Sequence, residues 1–271
     1  MIKSVDNVMI YYDEIGSPNN PTILFIHAAF MGRIAFAPQF NDRRLVDKFH
    51  LVRMDSRGAG RSSKPTNISM YDSIYNYADD LNAVIQDVTK SYLKKKVVLV
   101  GWSFGFPTSL AYLDKYGYDK VAGLVSSAGL VNPKIGLNQT ALASLDQLIS
   151  NDYTKAITSI EGDVDTAITA KPFDEKTRLM FIGVMAIVPP VAKQGLVRTS
   201  FDFKPVLKRA NIPVLVIYGD KDILINRGYP KTMAKAAKKA VIKCYHNVAH
   251  FPSWESARQF NTDLTTFVSQ L

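Results

Sequence analysis

Short apolar runs alternate with longer amphipathic segments along this chain, and this alternation limits the folds it can adopt. Apolar runs of six to eight residues are typical of strands buried on both faces of a parallel sheet. The amphipathic segments between them have the length and pattern of helices that cover such a sheet. The predicted strands are residues 22–27, 49–55, 96–102, 121–127, 212–219 and 241–246, and the predicted helices are residues 75–93, 106–117, 228–239 and 255–271.

Residues 131–205 interrupt this alternation. They contain helical segments and the apolar stretch RLMFIGVMAIVPP, but no clear strand. We therefore expect residues 1–130 and 206–271 to form one core domain, with residues 131–205 inserted as a helical subdomain. The expected fold class is α/β, with a mostly parallel sheet covered on both faces.

A serine between two glycines follows one of the predicted buried strands. The segment GWSFG, residues 101–105, lies between that strand and a predicted helix, and Pro107 falls in the first turn of the helix, where no amide hydrogen is needed. A tight strand-to-helix turn would lift the hydroxyl of Ser103 clear of the sheet and direct the unpaired N–H groups of the helix toward its target. Ser103 is thus a candidate nucleophile. The alternative is a glycine-rich turn with an incidental serine.

A serine nucleophile needs a base, and the chain has four histidines. His27 ends one predicted strand and His50 begins another, so structural roles are favoured for both. His246 lies at the end of the last strand, whereas His250 lies in the loop before the final helix, where an imidazole can reach the serine. His246 and His250 are four residues apart, but no third ligand matches them, so we expect no metal site.

Two aspartates follow the strand at residues 212–219 and are candidates to orient the imidazole. Asp220 and Asp222 both come directly after the strand, and from position alone either can accept a hydrogen bond from the histidine. The resulting order along the chain is serine, aspartate, histidine. That order is the one expected when a triad is assembled from successive strand ends of an α/β hydrolase.

Four segments make the chain resemble the α/β-hydrolase family over nearly its whole length: IHAAFMG (26–32), DSRGAGRS (55–62), GWSFG, and GDKD with NVAHFPSWE. The resemblance implies that Asp222 is the catalytic acid and that Asp220 serves the turn. It also implies that residues 131–205 are the family's cap. Structural roles in a turn beside the site are implied for Asp55, Arg57, Gly58 and Gly60.

The resemblance further implies an oxyanion hole formed by two backbone N–H groups. One belongs to Phe104, the residue after the nucleophile, and the other to Ala29, two residues past His27. The family usually has glycine directly after this histidine, where the present chain has Ala28. Whether Ala28 or Ala29 donates therefore stays open.

A serine nucleophile argues against haloalkane dehalogenases and epoxide hydrolases, which the family equips with aspartate at this position. The candidate pocket residues are apolar, which favours an ester, thioester or lactone with a hydrophobic acyl part. Short similarities in IAFAPQF and KPFDEKTRLMF favour the acyl-homoserine lactone hydrolases as a subclass. The candidate pocket residues are Phe30, Met31, Trp102, Phe104, Phe106, Met180, Phe181, Met185 and Phe251.

Two other functions remain open for a chain with this resemblance. Some members of the fold keep the triad but act as hormone receptors, with slow or incidental hydrolysis. Others carry out perhydrolase chemistry or cofactor-free oxygen chemistry. We expect no cofactor, and the expected partner is a small-molecule ester or lactone; the oligomeric state is not indicated.

The net charge of +9, from 33 basic and 24 acidic residues, raises the question of a nucleic-acid partner. Lysines concentrate in residues 91–96 and 229–243, where we expect a solvated helix face, and no nucleic-acid-binding motif accompanies them. No apolar run approaches the ~18 residues of a membrane-spanning helix, and the first residues lack the apolar region of a signal peptide, so a cytoplasmic protein without membrane insertion is expected. Cys244 is expected at a buried strand position.

Overall fold

An eight-stranded sheet forms the centre of the computed structural model, which describes residues 1–91 and 95–271. The strand order across the sheet is β1-β2-β4-β3-β5-β6-β7-β8. The pairs β1–β2 and β2–β4 are antiparallel, and every later neighbouring pair is parallel. The strands are β1 (Ile2–Lys3), β2 (Met9–Ile15), β3 (Thr22–Ile26), β4 (His50–Asp55), β5 (Val97–Trp102), β6 (Val121–Ser127), β7 (Val214–Gly219) and β8 (Ala240–Tyr245).

Helices cover both faces of the sheet and fill the connection between β6 and β7. Two short 3-10 helices, Arg33–Phe36 and Ile68–Met70, accompany them. The α-helices are α1 (Ala37–Phe40), α2 (Arg43–Val46), α3 (Ile74–Thr89), α4 (Gly105–Tyr116), α5 (Pro133–Gly136), α6 (Gln139–Leu148), α7 (Tyr153–Thr166), α8 (Glu175–Ala186), α9 (Pro190–Arg198), α10 (Lys204–Arg209), α11 (Tyr229–Ala234), α12 (Pro252–Glu255) and α13 (Ala257–Val268).

The predicted α/β architecture is confirmed, and the six predicted strands match β3 to β8 with ends that differ by at most two residues. The sequence reasoning missed β1 and β2, which are antiparallel additions at one edge and lack a continuous apolar run. The helix predicted over residues 75–93 is α3, which ends at Thr89; residues 92–93 lie outside the described part of the chain. The helix predicted over residues 228–239 is the shorter α11.

The alternation of side chains along β5 explains why the apolar runs are nearly continuous. Val98 and Val100 belong to the hydrophobic cluster on one face of the sheet, and Val97 and Leu99 belong to the cluster on the other face. All four side chains are at most 2% exposed, because helices cover both faces. A strand fixed in this way holds the residue that follows it, Ser103, in a defined place at the end of the sheet.

The connection between β6 and β7 is helical, consisting of α5 to α10. In it, α7 packs between α6 and α8, and α9 packs against the 3-10 helix Ile68–Met70. The predicted boundary at residues 205 and 206 falls inside α10. The division into a core domain and a cap stays a prediction, although the helical content expected for this segment is present.

The burial predicted for Cys244 is wrong. This residue lies on β8, the last strand of the sheet, and its side chain is exposed. An edge strand has a neighbour on one side only, and most of β8 is uncovered on its faces as well.

The lysines of residues 229–243 are exposed, as predicted, although they are distributed over α11, a turn and β8 instead of one helix. For residues 91–96, the positions 92–94 lie outside the described residues. Within residues 1–91 and 95–271, no single helix is long and apolar enough to cross a membrane. The bent pair α8 and α9 would meet the length and composition requirement only if taken together.

Candidate active site

Ser103 occupies a strained turn between β5 and α4. Its φ angle is +50°, in the left-handed region that L-residues other than asparagine and aspartate seldom adopt. A Cβ atom on Gly101 would lie 2.3 Å from the amide nitrogen of Phe106, and one on Gly105 would lie 2.1 Å from the carbonyl oxygen of Ile26. The flanking glycines are therefore required by close backbone approach, and the strained serine is held between them.

Backbone hydrogen bonds fix this turn from both sides. The amide of Ser103 donates to the carbonyl of Ser127 at the end of β6, at 2.9 Å, and the amide of Phe106 donates to the carbonyl of Ser103 at 3.1 Å. Among the described residues, no acceptor is found for the amide N–H of Phe104. The first turn of α4 thus offers a free donor beside the Ser103 side chain.

The loop after β3 lies against the same turn, and the buried side chain of His27 holds it. His27 donates through Nδ1 to the carbonyl of Ala28 at 2.7 Å and accepts through Nε2 from the amide of Ser56 at 3.0 Å. Burial lowers the pKa of His27, which keeps the imidazole neutral and suited to both contacts. His27 is therefore structural, as expected, and it ties the loop that carries Ala29 to the DSRGAGRS turn.

Asp55 and Arg57 fix the DSRGAGRS turn. The carboxylate of Asp55 accepts from the amides of Arg33 at 2.7 Å and Arg61 at 2.9 Å. The buried guanidinium of Arg57 lies 2.6 Å from the carboxylate of Asp80 on α3. These contacts support the structural roles predicted for this segment.

His250 lies in the loop between β8 and α12 and pairs with Asp222. The Nδ1 atom of His250 is 2.8 Å from Oδ2 of Asp222, and both side chains are nearly buried. The other carboxylate oxygen of Asp222 accepts from the amides of Leu224 at 2.8 Å and Ile225 at 3.1 Å. The orientation of the carboxylate is thus fixed by the backbone that follows β7.

Asp220 pairs with the other histidine of this region. Its Oδ2 atom is 3.1 Å from Nδ1 of His246, and its Oδ1 atom accepts from the amide of Asn247 at 2.8 Å. The hydrogen bond from His246 lowers the pKa of Asp220. The His246 side chain is 85% exposed. The two aspartates that sequence position alone left equivalent therefore have different partners. No group of three His, Cys, Asp or Glu side chains suited to a metal ion occurs in the described part of the chain.

The main chain of the histidine loop is held by Trp102 and Glu255. The indole Nε1 of Trp102 donates to the carbonyl of His250 at 2.7 Å. The Oε1 atom of Glu255 accepts from the amides of Ala249 at 2.9 Å and Phe251 at 3.3 Å. Burial raises the pKa of Glu255. Glu255 was not identified from the sequence; its place five residues after a candidate catalytic histidine is the only signal.

Ser103 and His250 line the same cavity, which has a volume of about 170 Å³. Within residues 1–91 and 95–271, no hydrogen bond joins the Ser103 hydroxyl to an imidazole. Catalytic hydrogen bonds are often long before substrate is bound. The oxyanion candidates Ala29 and Phe104 line this cavity too, as does Ala28.

The structure brings only some of the predicted pocket residues to the cavity wall. Of the nine, Phe30, Met31, Trp102, Phe104 and Met185 line it. The four that do not line it are the fully buried Phe106, Phe181 and Phe251, and Met180, which packs against the core.

An aromatic cluster accounts for two of these residues. Phe251 stacks on Trp102 with ring centroids 3.7 Å apart, and Phe181 packs edge-on against Phe251 and Trp254. Phe251 thus packs behind the cavity-lining Trp102, and Phe181 packs against Phe251.

Much of the wall comes from helices that the sequence reasoning did not identify. On α6, Ala141, Leu145 and Leu148 line the cavity, together with Ser144; α7 contributes Asp163. Burial raises the pKa of Asp163, while the charge of His250 acts in the opposite direction. A signal was present, because the helical period places Asp163 three residues after the buried Ile160, on the same face.

Comparison with known proteins finds relatives in sequence and in fold. A bifunctional esterase/perhydrolase of Acinetobacter calcoaceticus is 25% identical over 284 residues, which cover 98% of this chain and 98% of that protein. The crystal structure of an esterase from Rhodococcus sp. superposes with a TM-score of 0.89 at 22% identity, covering 100% of this chain and 98% of the other. An enzyme that degrades N-acyl homoserine lactones superposes with a TM-score of 0.76 at 24% identity, covering 98% and 100%. At these identities the two structures establish the fold.

The family is established by a match to a sequence model. A sequence model of the family described as serine aminopeptidase, S33, matches residues 36–257. The match covers most of the chain and includes the turn at Ser103 as well as the loops of Asp222 and His250. The chain therefore belongs to the serine aminopeptidase S33 family of α/β hydrolases.

Proposed function

We propose that this protein is a serine hydrolase that cleaves a carboxylic ester or lactone of a hydrophobic small molecule through an acyl-enzyme on Ser103. One observation carries the proposal: a serine with a strained φ of +50° shares a cavity with His250, whose Nδ1 atom is 2.8 Å from Asp222. Strained residues concentrate at functional sites. A nucleophile, a base and an orienting acid are the three groups that serine acyl transfer needs.

In the proposed acylation step, Oγ of Ser103 attacks the carbonyl carbon of the substrate. Its proton passes to Nε2 of His250, whose Nδ1–H donates to Asp222 and is thereby held in the required tautomer. The tetrahedral intermediate then collapses, the bond to the alcohol oxygen breaks, and that oxygen takes the proton from His250. In a lactone the released alcohol stays attached to the acyl group.

Deacylation repeats these roles, with water as the nucleophile and Ser103 as the leaving group. A water molecule gives a proton to His250 while its oxygen attacks the ester carbon on Ser103. Collapse of the second tetrahedral intermediate returns the proton to Ser103 and releases the carboxylic acid. The reaction consumes one water and needs no cofactor.

We assign stabilisation of the oxyanion to the amide N–H groups of Phe104 and Ala29. The free amide of Phe104 supports the first assignment. For the second, Ala29 and Ala28 both line the cavity, so Ala28 remains an alternative. Removing one oxyanion donor typically costs about 2.7–4 kcal/mol of transition-state stabilisation.

The cavity wall favours an apolar substrate. Most of the lining side chains are hydrophobic, among them Met31, Met185 and Leu148, so the part of the substrate that they enclose should be hydrocarbon. This composition supports esters, thioesters and lactones with a hydrophobic acyl group.

The proposal is tested by fluorophosphonate labelling together with hydrolysis of p-nitrophenyl acetate. Ser103→Ala should abolish labelling and lower kcat by about three or more orders of magnitude, with the fold intact. Ser109→Ala is the matched control, because Ser109 lies on α4 and its hydroxyl donates to the carbonyl of Gly105. Labelling that persists in Ser103→Ala would contradict the assignment, and Ser109→Ala should be labelled like wild type.

Two further measurements, of halide oxidation and of multiple turnover, distinguish the alternative functions. Perhydrolysis would require hydrogen peroxide in place of water as the attacker of the acyl-enzyme, giving a peracid, and would appear as peroxide-dependent halide oxidation. The similarity to a bifunctional esterase/perhydrolase makes this the second candidate. A receptor would release product slowly, so rapid multiple turnover of an ester argues for the enzyme.

A further inference from the structure

The cavity wall contains a carboxyl group that the proposed chemistry does not use. Among the described residues that line the cavity, Asp163 is the only one with a carboxyl group. The other polar side chains of the wall have other functions or partners. Ser103 and His250 belong to the proposed triad, and the hydroxyl of Thr199 donates to the carbonyl of Leu196 at 2.7 Å. Asp163 therefore needs a separate explanation.

The carboxyl of Asp163 is only half satisfied. The hydroxyl of Ser144 donates to its Oδ1 atom at 2.7 Å. Within residues 1–91 and 95–271, no group donates to Oδ2 and no Lys, Arg or His lies within ion-pair distance. Oδ2 is not sealed inside the protein. A carboxyl oxygen without a donor, in a largely apolar cavity, costs free energy that a bound ligand with a donor would offset.

We propose that Oδ2 of Asp163 receives a hydrogen bond from a hydroxyl group of the substrate. The preferred substrates would then be esters or lactones whose hydrophobic chain carries a hydroxyl. This inference rests on the proposed function of Ser103, since it concerns the substrate of the same cavity. Ser144 is assigned as the positioning residue that holds the carboxyl in place.

A hydroxyl fits this position better than a cation does. Burial raises the pKa of Asp163 because the apolar surroundings disfavour a charge there, and a cationic ligand would meet the same cost. A hydroxyl donates to the carboxyl oxygen without bringing a charge into the cavity, whereas an ammonium group brings a charge with its donors. Among the described lining residues, no second carboxylate is available to a cation.

The test compares matched p-nitrophenyl esters in the wild-type protein. The panel consists of hexanoate and octanoate, their terminal hydroxy derivatives, and the methyl ethers of those derivatives. At one chain length or both, the hydroxy ester should exceed the unsubstituted ester by at least about tenfold in kcat/KM. The methyl ether cannot donate and should show no such gain. Equal kcat/KM for hydroxy ester and ether at both lengths would overturn the proposal.

Variants of Asp163 link the preference to this carboxyl. Asp163→Leu should remove the gain and favour the unsubstituted ester, while Asp146→Leu, an exposed change on α6, should leave the preference unchanged. If Asp163→Leu does not fold, Asp163→Asn keeps the shape, and its ratio of hydroxy to unsubstituted ester should fall at least about threefold. A wild-type ratio in a folded Asp163 variant would overturn the assignment.

Labelling and acetate hydrolysis by the wild-type protein distinguish failure of this inference from failure of the proposed function. If wild-type protein is labelled by a fluorophosphonate and hydrolyses p-nitrophenyl acetate but shows no hydroxyl preference, only the role of Asp163 is refuted. If labelling and acetate hydrolysis are both absent, the serine-hydrolase proposal itself fails, and with it this inference.

Discussion

Replacing Asp222 with asparagine should test how the acid controls the imidazole. Oδ1 of Asp222 accepts from the amides of Leu224 and Ile225, at 2.8 and 3.1 Å, and Oδ2 lies 2.8 Å from Nδ1 of His250. An asparagine side chain has the same shape, but its NH₂ group must occupy one of these two oxygen positions. Each choice has a different consequence for the histidine.

If the amide oxygen stays on the two backbone amides, the NH₂ group faces Nδ1 of His250. Nδ1 must then accept, so the imidazole proton moves to Nε2, the atom proposed to take the proton of Ser103. If the side-chain amide is rotated by 180°, its oxygen accepts from Nδ1 of His250 and the imidazole keeps its tautomer. The NH₂ group then faces the backbone N–H groups of Leu224 and Ile225, which lose their acceptor. Each buried donor left without an acceptor costs about 1–3 kcal/mol. With two such donors, the orientation that keeps the competent tautomer is about 2–6 kcal/mol less favourable in the variant.

At about 1.4 kcal/mol per factor of ten, this penalty lowers kcat by about 30-fold to 10⁴-fold. Loss of the negative charge beside the imidazolium acts in the same direction. The assay is steady-state hydrolysis of p-nitrophenyl butyrate, with a thermal melt to establish that the variant is folded.

Asp220→Asn is the matched control for this prediction. Asp220 pairs with the exposed His246, and exposed ion pairs contribute little, so kcat should stay within about threefold of wild type. The reasoning would be refuted if Asp220→Asn lowered kcat more than Asp222→Asn, or if folded Asp222→Asn retained wild-type kcat.

Two further substitutions test substrate selection and stability. Met185→Ala should shift the ratio of butyrate to octanoate ester hydrolysis by roughly 10- to 200-fold and leave acetate hydrolysis nearly unchanged, because Met185 lines the cavity. Met180→Ala is the control and should not shift the ratio, because Met180 lies on the same helix but does not line the cavity. Arg57→Leu should lower the free energy of unfolding by about 3–5 kcal/mol in urea titrations at pH 7, because it leaves the buried carboxylate of Asp80 without its ion pair. Burial already raises the pKa of Asp80, so in the variant the folded chain takes up a proton more readily than the unfolded chain. The loss in free energy of unfolding relative to wild type should therefore shrink as pH falls through that raised pKa. A loss that grows on acidification would contradict this account.

The sequence was sufficient to locate the ends of β3 to β8 to within two residues, and with them the candidate residues that follow these strands. Parallel strands buried on both faces require continuous apolar runs, so β3 to β8 were visible as such, and their carboxyl ends meet at one edge of the sheet. Ser103, Asp222 and His250 follow three of these strands and are brought to one region for that reason. Position along the chain alone left Asp220 and Asp222 equivalent, and the family resemblance favoured Asp222. The coordinates add the physical difference, which is that the amides of Leu224 and Ile225 orient the carboxylate of Asp222.

The cavity wall could not be predicted in the same way, because the packing of α6 to α9 against one another is set by tertiary contacts that no strand periodicity fixes. Phe181 illustrates the problem, since its apolar character is equally consistent with a cavity wall and with the aromatic cluster in which it lies. Polar residues on apolar helix faces are more informative. Asp163 follows Ile160 by three residues on the buried face of α7, whereas Asp165 lies off that face and pairs with Arg178 at the surface. A carboxyl group at a buried helical position needs a hydrogen-bond donor. Where the helix borders a cavity, a ligand can supply this donor, so substrate selectivity should be sought first at such positions.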